Sequence, residues 1–278
     1  MVTRVRTLAG RIQLRALLVV IITLALTVPA QTGDRYITLA STTSTEQSGL
    51  FAHIIPRFRE ATGIDVRVVA VGTGQAFSIG RRGDADALLV HDPAGEEAFV
   101  GDGYGSERRD VMYNYFIIVG PRTDPADIAG VENAVDAMSR IAGTRSAFAS
   151  RGDDSGTHRA ELRLWGLADI QPSGSWYREL GSGMGPTLNT AAGMDAYAVA
   201  DRASWASFRN RQNLVLLFEG DDVLLNKYAS VPVSPRRHPH VRHELALRWH
   251  RWLLSDQGQQ AIAEFRVDGQ AVFFPGAD

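Results

Sequence analysis

The residues best suited to chemistry lie in two short segments that are rich in hydroxyl groups. Residues 41–45 have the sequence STTST, and residues 150–157 have the sequence SRGDDSGT. A short apolar run precedes each segment and an amphipathic stretch follows it, so each is predicted to be a loop between a strand and the N-terminus of a helix. Hydroxyl groups are neutral hydrogen-bond donors, and Arg151 adds a cation with a fixed fork of N–H groups. The two segments therefore indicate two oxyanion-binding loops.

The position of these loops supports the same interpretation. In open α/β sheets, ligands lie at the carboxyl ends of the strands, where helix N-termini offer unpaired N–H groups and the positive end of a dipole. Charge-assisted hydrogen bonds contribute roughly 1.5–3 kcal/mol each, so four or five of them support micromolar binding. The alternative is that the Ser and Thr residues only cap helices. Because the pattern occurs twice and includes Arg151, we favour anion binding.

The elements around the loops predict an α/β fold in two blocks. The first block has strands at residues 36–40, 64–71, 85–90 and 111–119, with helices at residues 48–61 (ending at Gly63) and 96–100. The second block has helices at residues 133–142, 156–167, 175–180 and 187–195, and strands at residues 146–149, 196–200 and 214–218. The C-terminal tail has a strand at residues 228–233 and helices at residues 241–254 and 256–265. This alternation predicts a largely parallel sheet. We expect residues 31–119 to form lobe 1, residues 120–220 to form lobe 2, and residues 221–278 to return to lobe 1.

The first thirty residues have the layout of a secretory signal peptide. Four arginines precede an uncharged apolar run at residues 16–28, and small residues around Ala30 offer a cleavage point. The apolar run is shorter than the roughly 20 residues that span a bilayer as a helix. An uncleaved membrane anchor is the alternative, and both interpretations predict export.

Composition excludes several classes of function. The chain has no cysteine, which excludes disulfides, thiolate metal sites and cysteine nucleophiles. Removing residues 1–30, which hold four arginines and no acid, leaves 25 basic against 31 acidic residues and a net charge of −6. Nucleic-acid binding needs a basic surface, so nucleic acid is not an expected partner.

Catalytic and metal motifs are incomplete. In residues 152–156, two residues separate Gly152 from Ser155 where the nucleophile elbow of a hydrolase needs one. His243-Glu244 begins like a zinc motif, but Leu247 occupies the position of the second histidine. We therefore predict a protein that is not an enzyme and has neither a metal site nor a cofactor, and we keep a secreted serine hydrolase as a distant alternative.

A series of motifs resembles one known family along essentially the whole mature chain. The hydroxyl run at residues 41–45 followed by Ser48-Gly49 is similar to the Thr-Thr-Thr-Ser signature of the periplasmic tungstate-binding proteins of ABC importers. The same family order continues at residues 71–76, 83–86, 90–91, 103–105, 111–114, 150–158, 183–189 and 238–239. Two positions depart from the pattern: Tyr115 stands where an acidic residue is expected, and residues 201–205 place Trp205 one position late.

The resemblance implies a two-lobed type II periplasmic-binding-protein fold that closes on a bare tetrahedral oxyanion in a cleft between its lobes. It also implies a monomer in the periplasm that delivers its ligand to an ABC permease in the inner membrane. Tungsten would be held through its oxygens and not as a metal ion. Carried over residue by residue, the ligand-binding positions are Ser41, Thr42, Thr43, Ser44, Arg151, Ser155, Gly156 and Thr157, with Thr73 and its neighbours lining the cleft.

The identity of the anion depends on its protons. Tungstate, molybdate and sulfate are fully deprotonated near neutral pH and need only donors, whereas phosphate keeps a proton and needs a carboxylate acceptor. Residues 151–157 also resemble the loop of phosphate-binding proteins, and Asp92 and Asp153 are candidate acceptors. We expect Asp153 and Asp154 to pair with Arg151 or to cap the helix instead. The long hydroxyl run favours tungstate, with molybdate and phosphate as the alternatives.

Overall fold

The computed structural model describes residues 35–277, so the predicted signal peptide at residues 1–30 lies outside the described residues. The strands are β1 (Tyr36–Thr42), β2 (Asp65–Val71), β3 (Ala87–Val90), β4 (Arg109–Pro121), β5 (Phe148–Ser150), β6 (Tyr177–Glu179), β7 (Ala198–Asp201), β8 (Leu214–Phe218), β9 (Leu225–Pro232), β10 (Arg266–Val267), β11 (Gln270–Ala271) and β12 (Phe274–Pro275). The helices are α1 (Thr43–Gln47), α2 (Leu50–Thr62), α3 (Thr73–Arg82), α4 (Pro93–Gly101), α5 (Ala134–Thr144), α6 (Gly156–Leu167), α7 (Met184–Met194), α8 (Arg202–Ser207), α9 (His243–Leu254) and α10 (Asp256–Glu264), with a 3-10 turn at Asp222–Leu224. Within residues 35–277, no helix is long and apolar enough to cross a membrane.

The main sheet is mixed, so the prediction of a largely parallel sheet is wrong. Its order is β12-β4-β9-β3-β1-β2, and β7 and β8 also pair with β4. Only the pairs of β1 with β2 and of β1 with β3 are parallel within this sheet. The chain passes from the first half of the molecule to the second along β4. It returns to the first half along β9, which pairs with β4. A strand that leaves and a neighbouring strand that returns must run in opposite directions, and periodicity does not reveal this.

Strand β4 connects the two lobes. Its residues from Arg109 to Tyr115 pair with β9, and those from Phe116 to Pro121 pair with β7 and β8. The register shifts between Ile118 and Val119 in the pairing with β8. The chain crosses back between β8 and β9, through the 3-10 turn. One strand and one short connection therefore link the two halves.

Each lobe has its own apolar core. In the first lobe, Phe58 of α2 packs edge-on against Trp249 and Trp252 of α9, and β1 to β3 contribute buried aliphatic side chains. In the second lobe, Trp165 of α6 packs against Phe148 and Tyr177, around which α5 and β7 close the core. These two cores hold the helix N-termini of the candidate site in place.

Residues 175–180 contain a short strand, β6 (Tyr177–Glu179), where sequence periodicity predicts a helix. Strand β6 pairs in parallel with β5 over three residues. Trp176 and Tyr177 pack against Trp165 in the second core. Tertiary packing therefore decides the conformation of this short segment, as often happens where local propensity is weak.

Candidate oxyanion-binding site

The first hydroxyl-rich segment, residues 41–45, does not form the loop that the sequence predicts. Ser41 and Thr42 belong to β1, and α1 begins at Thr43, so the strand runs directly into a helix. Thr42 caps α1 by accepting a hydrogen bond from the backbone N–H of Thr45 at 3.4 Å. The hydroxyl of Ser41 is fully buried and donates to the Leu89 carbonyl of β3 at 2.5 Å. Ser41 therefore joins two strands, and its proton is not directed at a ligand.

The remaining hydroxyls of this segment form a compact cluster. The Oγ1 atom of Thr42 lies 2.7 Å from Thr45 Oγ1 and 3.2 Å from Ser44 Oγ. Thr42, Ser44 and Thr45 are buried, whereas Thr43 is partly exposed. The structure thus brings together the predicted residues Thr42, Thr43 and Ser44 and adds Thr45, which lies in the same sequence run.

Arg151 is the buried cation of the second segment. It is only 3% exposed, and its Nη2 and Nε donate to Asp153 Oδ2 at 2.6 and 3.2 Å. Its Nη1 lies 3.5 Å from the hydroxyl of the buried Thr157. Burial alone would raise the pKa of Asp153, but hydrogen bonds from Ser155 and Arg151 outweigh burial and lower it. The predicted pairing of Asp153 with Arg151 is confirmed, and Asp153 is an ionised carboxylate.

Helix α6 begins where the two lobes meet. Ser155 caps the helix, with its hydroxyl accepting from the backbone N–H of His158 at 3.3 Å. The backbone N–H of Gly156 donates to Thr73 Oγ1 at 2.9 Å, and Thr73 is the first residue of α3 in the other lobe. Both residues are buried. The predicted positions Thr73, Ser155 and Gly156 are therefore in direct contact or adjacent.

An ion pair makes a second contact between the lobes. Arg159 of α6 pairs with Asp92, the residue that precedes α4 in the first lobe. Its Nε and Nη2 also donate to Asp154 at 3.0 Å each. These hydrogen bonds lower the pKa of Asp154. The three aspartates considered from the sequence, Asp92, Asp153 and Asp154, are thus each paired with an arginine.

Sequence reasoning did not identify the polar residues beneath the hydroxyl cluster. His91, Asn114, Asn226 and Tyr228 are buried there and bond to one another. His91 follows β3 directly, and its Nε2 lies 3.4 Å from Thr42 Oγ1. Two signals pointed to His91, its position at a strand end and its place in the motif at residues 90–91, but neither indicated its partner Asn226, which comes from β9.

A cleft of about 390 Å³ lies beside the contact between the lobes. Its lining includes His91, Gly156 and Asn226, and both signs of charge: the cations Arg159, Arg163 and Lys227 and the carboxylates Asp92 and Asp222. Within residues 35–277, no group of three or more His, Asp or Glu side chains is placed to hold a metal ion. The hydroxyl cluster and the buried guanidinium of Arg151 are not part of the lining of this cleft; together with the N-termini of the neighbouring helices, they suit a small anion.

The mixed sheet, the two cores and the cleft between the lobes define a type II periplasmic-binding-protein fold. The model of a PBP superfamily domain matches residues 27–257. The chain is 44% identical over 245 residues to the tungstate-binding protein TupA of Peptoclostridium acidaminophilum, a match that covers 87% of this chain and 86% of the relative. The chain therefore belongs to the PBP superfamily and, within it, to the family that contains this protein.

Two solved structures agree with this assignment. The tungstate-binding protein TupA from Desulfovibrio alaskensis G20 superposes with a TM-score of 0.78 at 40% identity and covers 88% of this chain and 100% of its own. The crystal structure of the tungstate ABC transporter from Geobacter sulfurreducens superposes with a TM-score of 0.77 at 42% identity and covers 83% and 98% of the two chains. These relatives are binding proteins of transport systems, and the chain is not an enzyme.

Proposed function

We propose that this protein is the extracytoplasmic receptor of an ABC importer and captures tungstate between its two lobes. The observation that carries this proposal is the pairing of the three candidate acceptors at the second segment. Asp92, Asp153 and Asp154 each already accept a hydrogen bond from Arg151 or Arg159, so the protein's own cations engage all three candidate acceptors. A site that offers donors to its ligand suits a fully deprotonated oxyanion and disfavours phosphate.

The proposed ligand donors come from both lobes. Thr43 and Ser44 supply hydroxyl and backbone donors at the start of α1, Thr42 holds this segment through its contacts with Ser44, Thr45 and His91, and Thr73 lines the cleft at the start of α3. Arg151, Ser155 and Thr157 supply the donors of the second lobe, and Gly156, whose N–H bonds to Thr73, joins the two walls of the proposed site. We assign Ser41 a supporting role, because its hydroxyl is bonded to Leu89.

Closure of the lobes is the proposed signal to the permease. A ligand that bridges both lobes stabilises the closed state over the open state, and the membrane partner distinguishes the two shapes. We propose that residues 31–119 and 221–278 build lobe 1 and residues 120–220 build lobe 2. The strand pairing favours a crossing between Tyr115 and Phe116, a few residues before that boundary. We further propose that residues 1–30 are a signal peptide, that the protein acts in the periplasm, and that it is a monomer.

Thermal unfolding with a panel of anions tests the function. The ligand-stripped mature protein is heated with tungstate, molybdate, sulfate or phosphate at equal concentration. A ligand at 1,000 times its Kd adds about 4 kcal/mol, which for a protein of this size raises Tm by about 10 °C. We expect a large shift with tungstate, an equal or smaller one with molybdate, and none with phosphate. A shift with phosphate alone would make this a phosphate receptor, and no shift with any anion would refute an oxyanion receptor.

A further inference from the structure

Beneath the hydroxyl cluster, the amide of Asn226 fixes the protonation of His91. Asn226 Nδ2 donates to Asn114 Oδ1 at 2.7 Å and to Tyr228 Oη at 3.2 Å. The Oδ1 atom of Asn226, 3.0 Å from His91 Nδ1, is therefore an acceptor. His91 must carry its hydrogen on Nδ1, which leaves a lone pair on Nε2.

The same assignment of donors and acceptors fixes the direction of the hydrogen bond between Thr42 and His91. His91 Nε2 is an acceptor 3.4 Å from Thr42 Oγ1, so Thr42 donates to His91. Burial lowers the pKa of His91, although the hydrogen bond with Asn226 acts in the opposite direction. A lowered pKa favours the neutral ring that this geometry requires. The ring also stacks on Tyr228 with centroids 4.7 Å apart, which holds its plane in place.

The hydrogen bonds form a chain that runs from Thr45 to Tyr228. Because Thr42 gives its proton to His91, Thr45 donates to Thr42 at 2.7 Å. His91 donates to Asn226, and Asn226 donates to Tyr228 Oη, which also accepts from Asn114. Every donor in the chain points in the same direction, an arrangement in which each bond strengthens the next.

One hydroxyl of the cluster, that of Ser44, is left outside this chain. The two lone pairs of Thr42 Oγ1 accept from the backbone and the hydroxyl of Thr45, so Thr42 has no acceptor left for Ser44. The Ser44 proton is then available to a ligand. We propose that His91 is a positioning residue of the anion site: by accepting the Thr42 proton, it leaves Ser44 as a donor to the bound oxyanion. This inference rests on the proposed function.

Two substitutions of His91 that add no bulk test the proposal. An asparagine places its amide where Nδ1 lies and removes the acceptor for Thr42, whereas a glutamine places an amide oxygen where Nε2 lies. We expect His91→Asn to raise the Kd for tungstate at least tenfold in isothermal titration calorimetry, and His91→Gln to stay within threefold of the wild type. His250→Asn is the matched control, because His250 is also buried but bonds to Ser230, four residues further along β9 than Asn226. We expect it to change the Kd less than twofold.

The protonation of His91 is measured independently in the wild-type protein. Long-range ¹H–¹⁵N correlation spectra distinguish the two nitrogens, and we expect Nδ1 protonated and Nε2 unprotonated at pH 7. A protonated Nε2 would overturn the proposal even if the His91 variants fail to fold. Equal affinity losses in His91→Asn and His91→Gln, or no loss in His91→Asn, would also overturn it. If the wild type binds none of the four anions, the proposed function itself fails.

Discussion

Replacing Gly156 with alanine should keep the two lobes from closing fully. A Cβ atom at this position would lie 2.5 Å from Cε1 and 2.8 Å from Nδ1 of His91, where ordinary contact begins at 3.4 Å. The imidazole cannot turn away, because Asn226 holds its edge and Tyr228 covers its face. Relief of the overlap therefore requires α6 to move away from the first lobe by about 1 Å, given the close packing of protein interiors.

The cost follows from the contacts that such a movement breaks. The Gly156 N–Thr73 Oγ1 distance of 2.9 Å would increase to roughly 3.9 Å, which is too long for a hydrogen bond. That bond contributes about 1 kcal/mol, and the partly exposed Arg159–Asp92 pair contributes up to about 1 kcal/mol more. A loss of about 2 kcal/mol in the closed state corresponds to a Kd about thirty times higher.

Calorimetry with tungstate, combined with small-angle X-ray scattering, measures both affinity and closure. We expect Gly156→Ala to bind about thirtyfold more weakly and to keep a larger radius of gyration at saturating ligand. Gly166→Ala, near the end of the same helix, is the matched control, because a methyl group added there would have no neighbouring atom within 4 Å. It should bind as the wild type does. A Gly156→Ala protein with a Kd within twofold of the wild type would refute the role of this contact in closure.

Four further substitutions have defined outcomes. Arg151→Ala should raise the Kd for tungstate at least tenfold, with the fold intact by circular dichroism. Ser44→Ala removes a neutral donor and should raise the Kd less. If Arg151→Ala binds tungstate as tightly as the wild type, Arg151 is not part of the site. Asp92→Asn should weaken the pair with Arg159 and accelerate tungstate dissociation severalfold in stopped-flow fluorescence, and an unchanged rate would contradict its role between the lobes. Burial raises the pKa of Glu161 from 4.5 to about 7, so the folded state holds this proton more tightly than the unfolded state. The stability that this proton contributes is complete below about pH 4.5 and is lost as the pH rises through about 7. In urea unfolding over that range, the free energy of unfolding of the wild type should fall by up to about 3 kcal/mol more than that of Glu161→Gln.

Local signals predicted the elements that carry the site. Helix α6 begins and ends where its amphipathic pattern and the cap at Ser155 predict, and α2 ends before Gly63, whose φ of 67° suits glycine. The hydroxyl-rich segments and Arg151 were also visible, since a strand end followed by a helix N-terminus is a feature of neighbouring residues. Features set by a few consecutive residues could therefore be predicted.

Features set by distant residues could not be predicted in the same way. His91 and Asn226 are 135 positions apart, and no periodicity indicates that β9 lies beside β3. The direction of β9 also made the sheet mixed. Ser41 illustrates the limit within the site itself, because its type suggested a ligand donor, whereas its neighbour Leu89 on another strand takes its proton. Spacing identified the candidate donors, and only the tertiary structure separates those that support the fold.

The continuity of β4 through both lobes affects the order in which the chain can fold during synthesis. The buried residues of the second core all fall between Phe116 and Leu224, a contiguous stretch. The first core instead needs α9, α10 and Phe273, and its sheet lacks the strand between β3 and β4 until β9 has been made. The last 50 or so residues take roughly 3–10 s to synthesise at typical rates. During that interval all buried residues of the second core have been made, while the part of the first core that α9, α10 and Phe273 cover remains open to a chaperone.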